Sequence, residues 1–418
     1  MIPDSPPLAL TQAQAGVLLG QHLAGNADVF YAAEYTELRG PLEPTLFMEA
    51  LHATLAEADS LRFRLIDTDD GPRQLPIIAP VPIPLLVAAE DLDETEFLAE
   101  LSRQSRQAFA SEDGFLYEHR LYRRAAERYV WLHRAHHLLL DGYGFQLIAR
   151  RTAARYAELV AGNGPVSAEF GNLAAVVDAD LAYQNSAARE ADRQYWLDTL
   201  VGLAPKSLCR NPIRGIGRGR RVGGVLPDTV VTRLKTRAVE LDLSWPELLI
   251  AGFAGYLAQF GHGDDAVLGL TTMLRASGAA ARTPCTAMNV MPLPFVHDWD
   301  RPLAEIGSKL RQDLARHRPH QRYRFEHLEF DLEQAGYPPG LLGTEINIMP
   351  FQAPTRFGPC EAMTRTLAAG PVEDLAAVFM ARGDVIVLDL DGRIENYDEP
   401  ALRDHWQHIV GFLAQILA

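Results

Sequence analysis

The sequence of 418 residues predicts an α/β protein built as two lobes of comparable size. Three observations lead there. The length exceeds what one ordinary hydrophobic core serves, so two or three domains are expected. Hydrophobic residues make up 48% and charged residues 22%, the balance of a soluble globular chain. Strand-like and helix-like segments alternate in both halves, with no short-period repeat and no low-complexity tail.

In the first half, Val29 to Leu38 reads as a strand ended by Gly40-Pro41. Leu46, Phe47, Ala50, Leu51 and Leu55 recur at helical spacing, so Pro44 to Ala58 is expected to be an amphipathic helix, with Pro44 pre-set for its start. Leu61 to Ile66 reads as a strand. Phe115 to Tyr122 and Tyr129 to Ala135 read as a β-hairpin, followed by a helix from Tyr143 to Ala161 that Gly162-Asn163-Gly164 closes. In the second half, Ala179 to Leu200 reads as one long helix, and Arg210 to Gly224 as a Gly/Arg-rich connection without periodicity. Thr229 to Glu240 and Pro246 to Phe260 read as consecutive helices, then Ala266 to Thr271 as a strand. Ala276 to Thr286 is small and irregular, hence a loop. Leu303 to His317 has helical spacing behind Pro302, and Thr344 to Met349 and Val385 to Leu390 read as strands.

The net charge of −15 leaves no broad basic field, which argues against nucleic acid as a partner. The N-terminal residues Met1 to Asp4 lack the basic start and apolar stretch of a signal peptide. The longest helical apolar run, Leu248 to Phe260, is too short to span a bilayer, so no membrane partner is expected. Cys209, Cys285 and Cys360 are scattered and odd in number. They suggest neither a disulfide framework nor a zinc spacing, and a reducing cytoplasm fits best.

The densest chemistry lies in His136-His137-Leu138-Leu139-Leu140-Asp141-Gly142, at the turn between the expected hairpin and helix. Such a turn is exposed on a rigid scaffold, a usual place for acid–base work. Neighbouring side chains on a strand point to opposite faces, so His136 and His137 should not share one role, and a metal site made of both is disfavoured. For an isolated pair, two satisfied histidines in a bulge would be the preferred reading. Asp141 and Gly142 shift the balance, because a carboxylate can fix the turn and glycine permits close approach to a ligand.

These seven residues match the HHxxxDG motif of condensation domains from nonribosomal peptide synthetases, within the chloramphenicol-acetyltransferase-like superfamily. Other segments resemble that family in its own order. They are Leu10 to Gln14, Ala58 to Leu65, Tyr195 to Leu200, Met288 to Pro294 and Arg324-Phe325-Glu326. His317 to Tyr323, Ala369 to Leu375 and Tyr397 to Pro400 are similar to the N-terminal condensation domain of the enterobactin serine-loading synthetase, which implies a siderophore-like or aryl-capping pathway. The chain departs from the family at Tyr143-Gly144, where Trp-Ser is common, at the opening motif, and at Arg62-Phe63.

The resemblance implies two chloramphenicol-acetyltransferase-like lobes in a V-shaped pseudo-dimer, residues 1–170 and 171–418, with the boundary near Gly164 to Asn172. A floor loop around Ala276 to Met291 and a latch around Asp374 to Arg393 are expected to bridge them. It implies amide formation between a carrier-bound acyl, aryl or aminoacyl thioester and the amine of a carrier-bound aminoacyl acceptor. The domain itself would bind no cofactor, its substrates being presented on 4'-phosphopantetheine. Donor and acceptor carrier proteins, reaching the site from opposite faces, and an adjacent adenylation domain are the implied partners of a monomer.

By resemblance His137 faces the tunnel, as general base or by positioning the amine. An α-amino group titrates at about 7.7–8.0, so a neutral fraction exists unaided and the two roles stay open. Gly142 would admit the substrate or a turn N–H to the reacting carbonyl. Asp141 would pair with Arg62 to brace the turn, and His136 would support it from behind. Tyr143 and Asn289 are candidates to line the tunnel, Asn289 being almost as readable as a strand-end residue. Arg218, Arg220 and Arg221, from a basic run with Arg210 and Arg214, are candidates for a phosphopantetheine phosphate or an acidic carrier helix, a solvated linker being the plainer reading. Two rivals stay open. One is an acyltransferase using free acceptors or acyl-CoA, and the other is a silent carrier-binding platform. Met1 close to the opening motif reads as a true N-terminus, and the end at Ala418 fits either a stand-alone enzyme or a piece of a larger synthetase.

Overall fold

The computed structural model describes all residues except 1–5, 110–112, 164–169, 201, 204–206, 214, 263–266, 276–277, 296–300, 337–342 and 351–353. Arg214, residues 164–169 of the expected boundary and the first two residues of the expected loop thus lie outside the described residues. The chain forms two compact units. The first comprises Met1–Gln184, Arg275–Ala287 and Ala353–Gly370, and the second Asn185–Leu274, Met288–Gln352 and Pro371–Ala418. The first change of unit therefore falls after Gln184, later than residue 170, and the first unit takes back two segments from far along the chain.

Within Met1–Gln184 the elements are β1 (Leu8–Ala9), α1 (Gln12–Ala24), β2 (Tyr31–Arg39), α2 (Pro44–Glu57), β3 (Phe63–Thr68), β4 (Gly71–Pro76), β5 (Leu85–Ala88), α3 (Glu94–Arg106), β6 (Tyr117–Ala125), β7 (Arg128–His136), α4 (Gly142–Val160) and α5 (Leu173–Gln184). There follow α6 (Ala187–Leu200), β8 (Gly219–Val225), α7 (Asp228–Glu240), α8 (Trp245–Phe260), β9 (Val267–Thr272), β10 (Asn289–Pro294), α9 (Leu303–His317), α10 (Phe325–Gln334), β11 (Thr344–Met349), β12 (Arg356–Phe357), β13 (Cys360–Ala369), β14 (Leu375–Arg382), β15 (Val385–Arg393) and α11 (Glu399–Ile416).

Two expectations change. The long helix from Ala179 to Leu200 is broken, because Ser186 receives the Arg189 N–H on its hydroxyl (3.4 Å) and so starts α6 afresh. The connection from Arg210 to Gly224 contains β8, which pairs antiparallel with β15.

In the first unit a six-stranded sheet runs β12-β13-β2-β7-β6-β5, antiparallel except for β5 beside β6, and a small sheet runs β1-β4-β3. Alternation along β7 sorts its side chains. Tyr129 and Trp131 enter the core made with Phe47 and Leu51 of α2 and Phe145 and Ile148 of α4. Val130 and Leu132 face Phe97 and Leu101 of α3 on the other side.

The second unit has its own sheet, β10-β9-β11-β14-β15-β8. Its central helix, α8, is buried along most of its length and shares a core with Leu402, Ile409 and Leu413 of α11. The expected latch, Asp374 to Arg393, lies in this second sheet as β14 and β15, whereas the two strands just before it in the chain, β12 and β13, belong to the first unit. The expected floor loop is divided, belonging to the first unit as far as Ala287 and to the second from Met288.

Candidate active site

The turn after β7 is tied at both edges. The His136 N–H donates to the Leu116 carbonyl (2.8 Å) and the His137 N–H to that of Phe30 (2.8 Å). Leu138, Leu139 and Leu140 are buried and anchor the turn in the core, and the amide of Gln14 donates to the Leu138 carbonyl (3.3 Å). The Thr286 hydroxyl donates to the His137 carbonyl.

The two imidazoles diverge. Nδ1 of His136 accepts the Leu138 N–H (3.0 Å), so its Nε2 carries the proton and donates to Gln21 Oε1 (2.8 Å). Burial, followed by the neighbouring His137, pushes the His136 pKa down to about 4, so this ring is neutral near pH 7. The half-buried His137 ring instead places Nδ1 3.0 Å from the Leu140 carbonyl and Nε2 2.9 Å from that of Ala369.

Asp141 closes the turn and starts α4. One carboxylate oxygen caps the helix by accepting the Gly144 N–H (2.9 Å), the other accepts the Ala287 N–H (3.0 Å), and Arg275 Nη2 reaches both (3.0 and 2.9 Å). Burial alone would raise the Asp141 pKa. The Arg275 charge and the two N–H donors more than offset it, and the carboxyl is held below its ordinary value. Arg275 is buried too, and its other terminal nitrogen donates to the carbonyls of Ala280 (2.6 Å) and Thr283 (2.8 Å). Burial pushes the adjacent Cys285 thiol up to about 12, so it stays protonated. Among the described residues no group of three or more His, Cys, Asp or Glu is arranged to hold a metal, and no helix is long and apolar enough to cross a membrane.

The profile of the condensation domain family matches residues 6–418. The chain belongs to that family. Condensation domains of nonribosomal peptide synthetases are acyltransferases that form C–N bonds, and this condensation domain is one of them. It is 34% identical to a dimodular nonribosomal peptide synthase of Bacillus subtilis (strain 168), over 99% of this chain and 18% of the relative. It is 31% identical to the isonitrile lipopeptide synthase of Streptomyces coeruleorubidus, over 98% of this chain and 28% of the relative. The chain thus spans less than a third of each. The starter condensation domain of rhizomide synthetase, solved in complex with C8-CoA, matches with TM-score 0.89 and 30% identity, covering 98% of this chain and 95% of that one. The first condensation domain of the CDA synthetase matches with TM-score 0.91 at 24% identity, covering 99% and 97%, a likeness of fold.

Within this condensation domain the expected brace is corrected. Arg62 forms no hydrogen bond or ion pair with Asp141, and its Nε is buried without a partner. Arg275 fills the carboxylate's surroundings instead, following Leu274 in the left-handed backbone region at φ 50°. The Arg62 segment braces the same region differently, through the Ser60 hydroxyl on the Pro284 carbonyl (2.5 Å).

The other candidates separate. Gly142 opens α4. Tyr143 lies over the Arg275 guanidinium, 5.1 Å from ring centroid to Cζ. A β-carbon on Gly144 would meet Leu140 Cδ2 at 2.9 Å and the Cys285 carbonyl at 3.1 Å, which accounts for glycine where the family often has serine. Asn289 belongs to the second unit. Its amide donates to the carbonyls of Gln321 (2.9 Å) and Tyr323 (2.8 Å), and its oxygen accepts the Phe325 N–H (3.1 Å), so both donors are committed to main chain rather than to substrate. Arg221 is held by Asp389 (3.2 Å) and Asp391 (2.8 Å), and Arg220 donates to the Tyr397 carbonyl (3.0 Å). These two are structural fasteners of β8 rather than a waiting phosphate site. Arg218 is half-buried beside them, its carbonyl accepting the Ile394 N–H (3.0 Å).

Sequence reasoning missed Arg275, Thr286 and Ala369. Arg275 carried one faint signal, a lone basic residue between an apolar strand and a small, irregular loop.

Proposed function

We propose that this condensation domain starts a peptide. It joins a carboxylic-acid cap, aryl or fatty, to the amine of an aminoacyl thioester, both partners arriving on the phosphopantetheine arms of carrier proteins. The amine nitrogen attacks the thioester carbonyl. The C–N bond forms, the C–S bond breaks, and the amine proton leaves with the thiol. The thioester supplies the driving force, so orientation and stabilisation of charge are the protein's share.

This reading rests on the Arg275-locked turn that presents a half-buried His137 directly after β7. His137 Nε2 is the group to receive or orient the amine proton, and Asp141 and Arg275 hold the turn without touching substrate. The starter type is supported by 30% identity with a starter domain bound to C8-CoA, and the chain is also 28% identical to enterobactin synthase component F of Escherichia coli (strain K12), in line with the siderophore-like resemblance from which the aryl alternative comes. The neighbouring carrier and adenylation domains are partners in the same reading.

The test presents an aminoacyl carrier with octanoyl-carrier, octanoyl-CoA or an aryl-carrier thioester and follows amide by mass spectrometry. Amide from a carrier-bound cap supports the proposal. Turnover with octanoyl-CoA and none with either carrier-bound cap would contradict carrier dependence, and binding of loaded carriers without any product would leave a silent platform in its place.

A further inference from the structure

Both ring nitrogens of His137 face carbonyl oxygens, Leu140 at Nδ1 (3.0 Å) and Ala369 at Nε2 (2.9 Å). A carbonyl only accepts, and a neutral imidazole has one N–H to give. The Leu140 contact is local, within the turn. The Ala369 contact comes from β13, and it occupies the nitrogen on which the proposed chemistry depends. An incoming amine must come within about 2.6–3.2 Å of that nitrogen, where the Ala369 oxygen already sits.

The segment is shaped to lie there. Gly370 has φ +94°, and a β-carbon on it would fall 2.5 Å from both Cδ2 and Nε2 of His137. Glycine thus lets the main chain rest against the ring in a backbone conformation that other residues resist. Its attachment to the sheet is short. The register of β13 against β2 shifts between Thr366 and Ala368, so only Ala368 and Ala369 pair beyond the bulge, opposite Ala33 and Ala32. Leu367, at the bulge, packs on the core that contains Tyr122, Val130 and Leu132.

We propose that the Ala369–Gly370 main chain is a strap that covers His137 Nε2 in the resting protein and withdraws when the acceptor amine binds. The role of the amine rests on the function proposed above, whereas the covering of His137 does not. The strap makes acceptor binding report on itself, since the amine must displace the Ala369 carbonyl oxygen from beside Nε2 before chemistry.

Carbethoxylation by diethylpyrocarbonate, read by peptide mass spectrometry, tests the covering without any substrate. His22, exposed in the same unit, is the internal reference. His137 of the wild type is expected to react about tenfold more slowly than His22 if the strap is closed roughly nine-tenths of the time. Gly370→Ala, whose β-carbon excludes the closed contact, and Leu367→Ala, which removes the strap's apolar anchor, are each expected to bring that rate close to His22. Single-turnover amide formation should then show the half-saturating acceptor concentration falling about tenfold, a split that loss of mere structural support would not produce. Wild-type His137 as reactive as His22, or unchanged protection in both folded variants, would overturn the strap. Protection lost as expected with no amide formed by any protein would leave the strap standing and sink the function instead.

Discussion

Asp141 in the first unit and Asp374 in the second are equally buried, each 2% exposed, yet their surroundings drive them in opposite directions. Burial raises the pKa of both. At Asp141 the Arg275 guanidinium and two main-chain donors reverse the effect. At Asp374 the partners are neutral side chains, Ser207, Asn396, Tyr397 and Thr344, and the carboxyl stays above its ordinary value. A full counter-charge at hydrogen-bonding distance, rather than burial or hydrogen-bond number, separates the two. The locked charge belongs to the turn that carries His137, and the unlocked one to a structural corner of β14.

Asp141 is where this contrast is most easily destroyed. Asp141→Asn leaves Arg275 buried without its counter-charge and should cost about 3–5 kcal/mol in urea unfolding at pH 7. The sign of the pH dependence follows from the direction of the shift. Asp141, with a depressed folded pKa, contributes stability that is present above the unfolded value of about 3.9 and is lost as pH falls through the folded value. Asp374 does the reverse, its contribution being present below that value and lost as pH rises.

His136 provides the next effect. Its folded pKa of about 4 lies below the unfolded value, so its contribution is full above about 6.5 and is lost as pH falls towards 4. Wild type should lose stability on the order of 3 kcal/mol more than His136→Gln over that window, measured as the pH dependence of the urea midpoint. Gly144→Ser restores the common family residue in a place with no room for it, and should cost about 1–3 kcal/mol in the same unfolding measurement. Asp374→Asn is the smallest change. It keeps an acceptor for the Asn396 amide and removes a charge that burial disfavours, so stability at pH 7 should stay within about 1 kcal/mol of wild type.

Much of the first unit's scaffold was legible because its periodicities are clean. Tyr129 to Ala135 alternates as a strand between two cores, and α4 follows from helical spacing after Asp141. The histidine pair was legible for the same reason, since adjacent strand residues diverge. Arg275 was not, because it lies 134 residues from Asp141 in a loop without period. The resemblance pointed to Arg62 instead, and sequence order alone has no means of ranking two distant guanidinium groups. β8 was hidden by its glycines and arginines, with Val222 as its one buried side chain. The break before α6 was hidden because Asn185-Ser186 interrupts no apolar stripe. The strap left only a glycine, whose need for positive φ becomes visible when His137 is placed beneath it.

Single-turnover amide formation from loaded carrier proteins, comparing His137→Ala with Asp374→Asn, asks directly whether the charge-locked turn of the first unit carries the chemistry. The expected rate is at least about 100-fold lower for His137→Ala and that of the wild type for Asp374→Asn. Wild-type product formation by His137→Ala would contradict the role assigned to the turn.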